Sequence, residues 1–184
     1  MEKNKSDKIK DENTKTGDVG GWFYSDEVKR HFFDPYKFMK DSEEEEFAKE
    51  ADGVGMVGSP ACGDMMKLWI KVDPVRNGRK EHNENQSGDN STSNGVDKNT
   101  QKIKDCRWRT FGCGSAIAST SALAEMITEN GGMSIEDAIK ITPQDIMARL
   151  GGLPDIKIHC SVLGDQALRA AIDDYLNKKH KDNK

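Results

Sequence analysis

Two runs of this 184-residue chain alternate between apolar and polar positions. In KLWIKVD, Leu68, Ile70 and Val72 alternate with Lys67, Trp69 and Lys71, and in DCRWRTF, Cys106, Trp108 and Thr110 fall opposite Arg107 and Arg109. A period of two is that of a half-buried strand, so both runs are expected to pair in a sheet. The segment between them, an insertion at 77–102 of Asn, Ser, Gly and charge, has nothing to bury and reads as a flexible loop.

Elsewhere the period is helical. In YSDEVKRHFFDP, Ser25 can cap a helix, Asp26 and Glu27 suit its positive end, Val28 and Phe32 share a face, and Pro35 stops it. DSEEEEFAKE reads as a solvated acidic face or loop. SAIASTSALAEMITEN repeats apolar residues at Ile117, Leu123, Met126 and Ile127, with Gly131 and Gly132 as the stop. Ser134 can cap a short helix, and Thr142, Pro143 and Asp145 form the start of another. In the last helix Leu163, Ala167, Ala170 and Ala171 fall on one face while Asp173 and Asp174 face water. Strands precede helices, so the expected class is α+β, a small antiparallel sheet of about three strands with helices packed on one side. The expected organisation is a polar tail at 1–21, one domain over 22–178 and a charged tail at 179–184.

Net charge is −4 with both signs mixed, which lacks the one-sided basic field of a nucleic-acid binder. No apolar run approaches the ~20 residues of a membrane span, and the Lys-, Asp- and Glu-rich start carries neither a signal peptide nor an Arg-rich transit peptide, so the expected location is the cytoplasm. There the four cysteines point to thiol or metal chemistry rather than to disulfides.

Three of those cysteines stand at element starts. Cys62 lies in GSPACGD before the first strand, Cys113 between Gly112 and Gly114 at a strand-to-helix junction, and Cys160 follows His159 at the start of the last helix. Helix N-termini favour the thiolate, the form that binds metal and attacks sulfur. The glycines beside Cys113 are expected to permit φ > 0 and to leave clearance around the sulfur for a cluster or a partner's persulfide. Cys106, among alternating apolar neighbours, reads as a buried hydrophobe. With Asp64 two residues after Cys62, the set offers three soft ligands, a carboxylate and an imidazole, which suits Zn²⁺ or iron and sulfide.

GSPACGDMMKL, TFGCGSAIASTSALAEM and LPDIKIHCSVLGDQAL together resemble the iron-sulfur scaffold family of IscU and the N-terminal domain of NifU, and YSDEVKRHFFDP resembles its opening helix. The likeness runs over about residues 22–177, in order, and GGLP and HCSVLG lean toward NifU. Neither a ferredoxin-like nor a Cys-x-x-Cys module follows, so a stand-alone scaffold is expected.

The resemblance implies a SufE/IscU-like fold and a non-enzymatic scaffold that assembles a labile [2Fe-2S] cluster and transfers it to apo iron-sulfur proteins. It implies Cys62, Cys113 and Cys160 as cluster ligands, with His159 as an alternate ligand and Asp64 as the residue that makes the cluster labile. Cys160 is implied as acceptor of persulfide sulfur from a cysteine desulfurase of the IscS/NifS type, and iron or a resting zinc as the metal. The alternative on the same residues is a zinc-dependent sulfurtransferase. The family's chaperone-recognition segment reads Leu-Pro-Pro-Val-Lys; here it is Leu153, Pro154, Asp155, Ile156 and Lys157. Losing the second proline removes a fixed φ and adds a negative charge, which weakens recognition by DnaK/J-type chaperones.

Overall fold

The computed structural model describes residues 24–60, 63–73, 101–152 and 158–182. Among them, three strands form an antiparallel sheet in sequence order: β1 (Gly53–Gly58), β2 (Met65–Val72) and β3 (Ile103–Phe111). The helices are α1 (Asp26–Phe33), α2 (Asp41–Glu50), α3 (Gly114–Thr128), α4 (Ile135–Ala138), α5 (Pro143–Arg149) and α6 (Ile158–Asp182). The class is α+β, as the order of periodicities predicts.

The period of two in β2 and β3 sorts their residues cleanly. Pairing Met66 with Thr110, Leu68 with Trp108 and Ile70 with Cys106 puts these side chains on one face, where they join Leu123 and Ile127 of α3 and Leu168 and Ile172 of α6 in the main core. Cys106 is wholly buried with Sγ 4.0 Å from the Ala124 carbonyl, and burial pushes its thiol pKa up to about 12. It remains a protonated hydrophobe, as its strand position predicts.

β1 was not among the alternating runs, because GVGMVG carries too few side chains to show a period. Its glycines answer to the helix instead. A Cβ on Gly55 would lie 2.0 Å from the Ala167 carbonyl oxygen, and one on Gly53 would lie 2.2 Å from that of Ala171. Helix α6 thus lies directly on the strand's backbone, with Ala167 and Ala171 as its own small contact residues. Asp174 of the same helix accepts a hydrogen bond from the Val54 N–H at 2.9 Å, which satisfies a donor on this edge strand.

Helices do not stand on one side alone. The segment DSEEEEFAKE, expected as a solvated face or loop, is helix α2 and rests on the opposite sheet face: Phe47 forms a second, smaller core with Met39 and Trp69. One buried aromatic in ten residues gives almost no periodicity, so the helix was invisible to that signal. Its carboxylates meet cations of the sheet. Glu44 pairs with Lys67 and Arg109, Asp41 with Arg109, and Glu50 with Lys71, while the Lys71 ammonium lies 4.2 Å from the Phe47 ring centre. Exposed pairs of this kind contribute little singly, and the seat of Phe47 on Trp69 carries most of the attachment.

The predicted caps are formed. Ser25, Ser134 and Thr142 each accept a hydrogen bond from a backbone N–H three residues on, and Asp145 closes a capping box. Ser25 also donates to the Leu150 carbonyl, which ties the start of α1 to the end of α5. Gly132, at φ 92°, ends the α3 region where a Cβ would meet the Ile103 carbonyl.

One buried polar cluster had no signature in the sequence. His31 is wholly buried between α1 and α3, with Nδ1 2.7 Å from Ser121 Oγ and Nε2 2.9 Å from the Arg30 guanidinium. A guanidinium can only donate, so Nε2 accepts and the neutral ring donates from Nδ1 to Ser121. Burial first, then the Arg30 charge, hold the pKa below its ordinary value, against the opposing pull of Glu125 at 3.6 Å. Protonation therefore favours the unfolded chain. The contribution of neutral His31 is complete above the unfolded value of ~6.5 and declines as pH falls below it toward the folded value. The melting temperature is expected to drop between pH 7 and pH 5, and His31→Asn should flatten that slope; a slope unchanged by the substitution would assign the pH dependence elsewhere.

Candidate functional site

Strand β3 ends where the chemistry begins. The last cross-strand pair is Met65 with Phe111, so the next residues, Asp64 on one chain segment and Gly112 on the other, face each other just past the sheet. Cys113 follows as the N-cap of α3, half-buried, at φ −74° and ψ 171°. Its side chain makes no capping bond, and the first turn of the helix carries no acidic residue. The dipole of a 15-residue helix favours negative charge at this position.

The loop leading to Asp64 is shaped for a sharp return. Gly63 takes φ 71°, which glycine adopts without penalty, and its N–H donates to the Ser59 carbonyl at 2.8 Å. The Ser59 N–H in turn donates to the Asp64 carbonyl at 2.9 Å. This places the Asp64 side chain inward: the residue is 9% exposed, and its Oδ2 is buried with no hydrogen-bond partner among the described residues. A buried carboxylate oxygen without a donor is costly unless a cation completes it.

The glycines around Cys113 do something other than the sequence suggests. Neither Gly112 nor Gly114 has a positive φ, and neither borders open space. A Cβ on Gly114 would lie 3.2 Å from the Phe32 ring, and one on Gly112 would lie 2.9 Å from Ala116 Cβ, 3.0 Å from Thr110 Oγ1 and 3.2 Å from Asp64 Oδ2. The expectation of a positive φ is corrected, and the space that a side chain at either glycine would enter is bounded by an aromatic from α1 and by the carboxylate. Phe32 was readable as an apolar partner of Val28 on α1, but nothing in the sequence indicated that it would seat beside Cys113. Tyr24 also reaches α3, its hydroxyl 3.0 Å from Ser115 Oγ.

The remaining expected ligands lie at the edge of what is described. His159 and Cys160 fall in the first turn of α6, with side chains outside the described residues. Cys62 and the segment Leu153, Pro154, Asp155, Ile156 and Lys157 also lie outside them. Among the described residues no group of three or more His, Cys, Asp or Glu side chains converges, and Asp64 and Cys113 are the expected site residues with described side chains. A buried carboxylate oxygen lacking a donor among the described residues, next to the Gly112 position that precedes Cys113, is of a kind that a divalent metal satisfies. On the outer sheet face near this end, Phe111 is 76% and Met56 60% exposed around a cavity also lined by Met65, Thr110 and the charged Glu44, Lys67 and Arg109.

The family model described as NifU-like N terminal domain matches residues 23–83 and 75–182. The chain belongs to that family. It is 40% identical over 161 residues to the protein of Archaeoglobus fulgidus named iron-sulfur cluster assembly scaffold protein IscU 1, covering 88% of this chain and 82% of that one. It is 39% identical over 154 residues to the nitrogen fixation protein NifU of Azotobacter chroococcum, covering 84% of this chain and 39% of that relative. The chain therefore spans about two-fifths of the NifU proteins it matches and most of the shorter IscU protein. Among solved structures, the N-terminal NifU-like protein of Brucella abortus shares the fold, with a TM-score of 0.54 at 13% identity over 84% of this chain and 94% of that one. No described helix is long and apolar enough to cross a membrane.

Proposed function

We propose that this NifU-like chain is a scaffold, without turnover of its own, on which a labile [2Fe-2S] cluster is assembled as cargo and handed to apo-proteins. The observation that carries the reading is the donorless Oδ2 of Asp64 against the Gly112–Cys113 junction. The relatives named as iron-sulfur scaffolds support it, since they match over most of the chain. In this reading Cys62, Cys113 and Cys160 hold the cargo with His159 or Asp64, and a single Zn²⁺ or iron ion occupies the same ligands at rest.

Sulfur enters by exchange at Cys160. Its thiolate attacks the outer sulfur of a persulfide on a cysteine desulfurase; a new S–S bond forms on Cys160 and the desulfurase cysteine leaves as thiolate, with no net oxidation. The dipole at the start of α6 favours the thiolate that must attack. A donor protein and a recipient both have to reach this end of the sheet, and the exposed Phe111 and Met56 offer apolar surface for docking there. Chaperones of the DnaK/J type would read residues 153–157, where Asp155 weakens the fit. A reducing compartment such as the cytoplasm suits a thiol-dependent site of this kind.

Asp64 sets how long the cargo stays. A carboxylate is a hard ligand, exchanges readily with water and competes poorly with thiolate for iron held by sulfide. Asp64→Ala should lengthen the cluster's lifetime roughly tenfold, followed by the decay of visible absorption under a chelator. An unaltered decay would remove the carboxylate from the release step.

A further inference from the structure

We propose that Gly112 is a positioning residue for the Asp64 carboxylate: its missing side chain is the space in which Oδ2 stays buried and unsatisfied until a metal arrives. The inference rests on the reading of Asp64 as a metal-facing group.

Gly112 has no conformational need to be glycine, since its φ lies outside the left-handed region. What it lacks is room. A Cβ would approach Ala116 Cβ at 2.9 Å, Thr110 Oγ1 at 3.0 Å and Asp64 Oδ2 at 3.2 Å, all closer than ordinary contact at 3.4 Å. Two of these neighbours cannot give way. Ala116 is wholly buried in the first turn of α3, and Thr110 is held by the hydrogen bond it donates to the Met65 carbonyl at 2.7 Å. The same bond commits the hydroxyl's hydrogen to backbone, so Thr110 does not donate to Asp64. The carboxylate is the movable member, on a loop that turns at Gly63.

An added methyl at 112 therefore presses Oδ2 from its place by a few tenths of an ångström. The strand register enforces the encounter, because the pair Met65 with Phe111 leaves Asp64 and Gly112 opposite each other. Gly112, Thr110 and the backbone of β2 thus act together as a frame that holds one carboxylate oxygen without a partner. A frame of this kind raises metal affinity, since binding does not first have to break a hydrogen bond.

The test is a cobalt(II) titration of the full chain, read by the dissociation constant and by the visible ligand-field bands, which report the oxygen ligand directly. Gly112→Ala should weaken binding roughly tenfold and shift the bands as Asp64→Ala does, and in the Asp64→Ala background it should change neither by more than about twofold. The double variant Gly112→Ala with Ala116→Gly relieves the 2.9 Å conflict, keeps the fold by its melting curve, and should show the same cobalt phenotype. Equal losses for Gly112→Ala with and without Asp64 would overturn the proposal by showing general damage to the site. So would wild-type binding in the double variant. If Asp64→Ala itself leaves cobalt binding and bands unchanged, the metal-facing reading of Asp64 fails as well, which separates the two failures.

Discussion

Replacing Gly55 with alanine should shift the urea unfolding midpoint down by about 1–3 M, a large loss for a single methyl. The cause is backbone against backbone. The new Cβ would stand 2.0 Å from the Ala167 carbonyl oxygen and 2.6 Å from the Ala171 amide nitrogen, and neither can rotate away as a side chain would. Relief requires α6 to lift from β1, which opens the core around Leu168 and Ile172 and withdraws Asp174 from the Val54 N–H. Overpacking usually costs about 1–3 kcal/mol, and neighbours that are all backbone of one helix put this case at or above the top of that range. Small domains hold only ~5–15 kcal/mol in reserve, so valine at the same place should leave the chain largely unfolded. Met56→Ala is the control. That side chain is on the open sheet face and should move the midpoint little. An unchanged midpoint for Gly55→Ala would contradict the seating of α6 on β1.

The second large effect concerns function. Cys113→Ala should reduce zinc or iron retention by at least about 100-fold while leaving the melting temperature of the metal-free chain nearly unchanged, because the thiol is half-buried at a helix start and fills no core. Cys106→Ala should do the reverse. It removes a wholly buried thiol beneath Ala124, lowers the melting temperature and leaves metal content intact. The two substitutions separate a chemical cysteine from a structural one in the same strand-to-helix passage. Equal metal loss from both would mean that the thiols act through the fold and not as ligands.

How much of this was legible in the sequence depends on how each residue does its work. Leu68, Ile70 and Val72 signal a strand by their spacing, and Ser25, Thr142 and Pro143 signal helix starts by their own hydrogen-bond chemistry; such features are local and were readable. Cys106 could be set apart from Cys113 for the same reason, since one sits in an alternation and the other breaks it. Helix α2 was not readable because its attachment is one aromatic, Phe47, on a partner, Trp69, more than twenty positions later. Strand β1 was missed because its information lies in absent side chains whose meaning appears only when α6 is laid on it. Gly112 and Gly114 show the same limit. Their lack of Cβ was visible, but whether the vacated space would be empty or filled by Phe32 and Asp64 is a property of the assembled fold.

The outer face of the sheet exposes Phe111 and Met56 toward one end, whereas α2 covers its middle through Phe47 and Trp69. The same helix also reaches toward that end through Glu44, which pairs with Lys67 and Arg109.

The most direct test of the scaffold account is anaerobic reconstitution with ferrous iron, cysteine and a cysteine desulfurase, followed by visible absorption and then by addition of an apo-ferredoxin. The account predicts that colour forms on the chain and moves to the ferredoxin. Absence of colour, with zinc retained and persulfide accumulating on Cys160, would contradict it and make the same residues a sulfur relay.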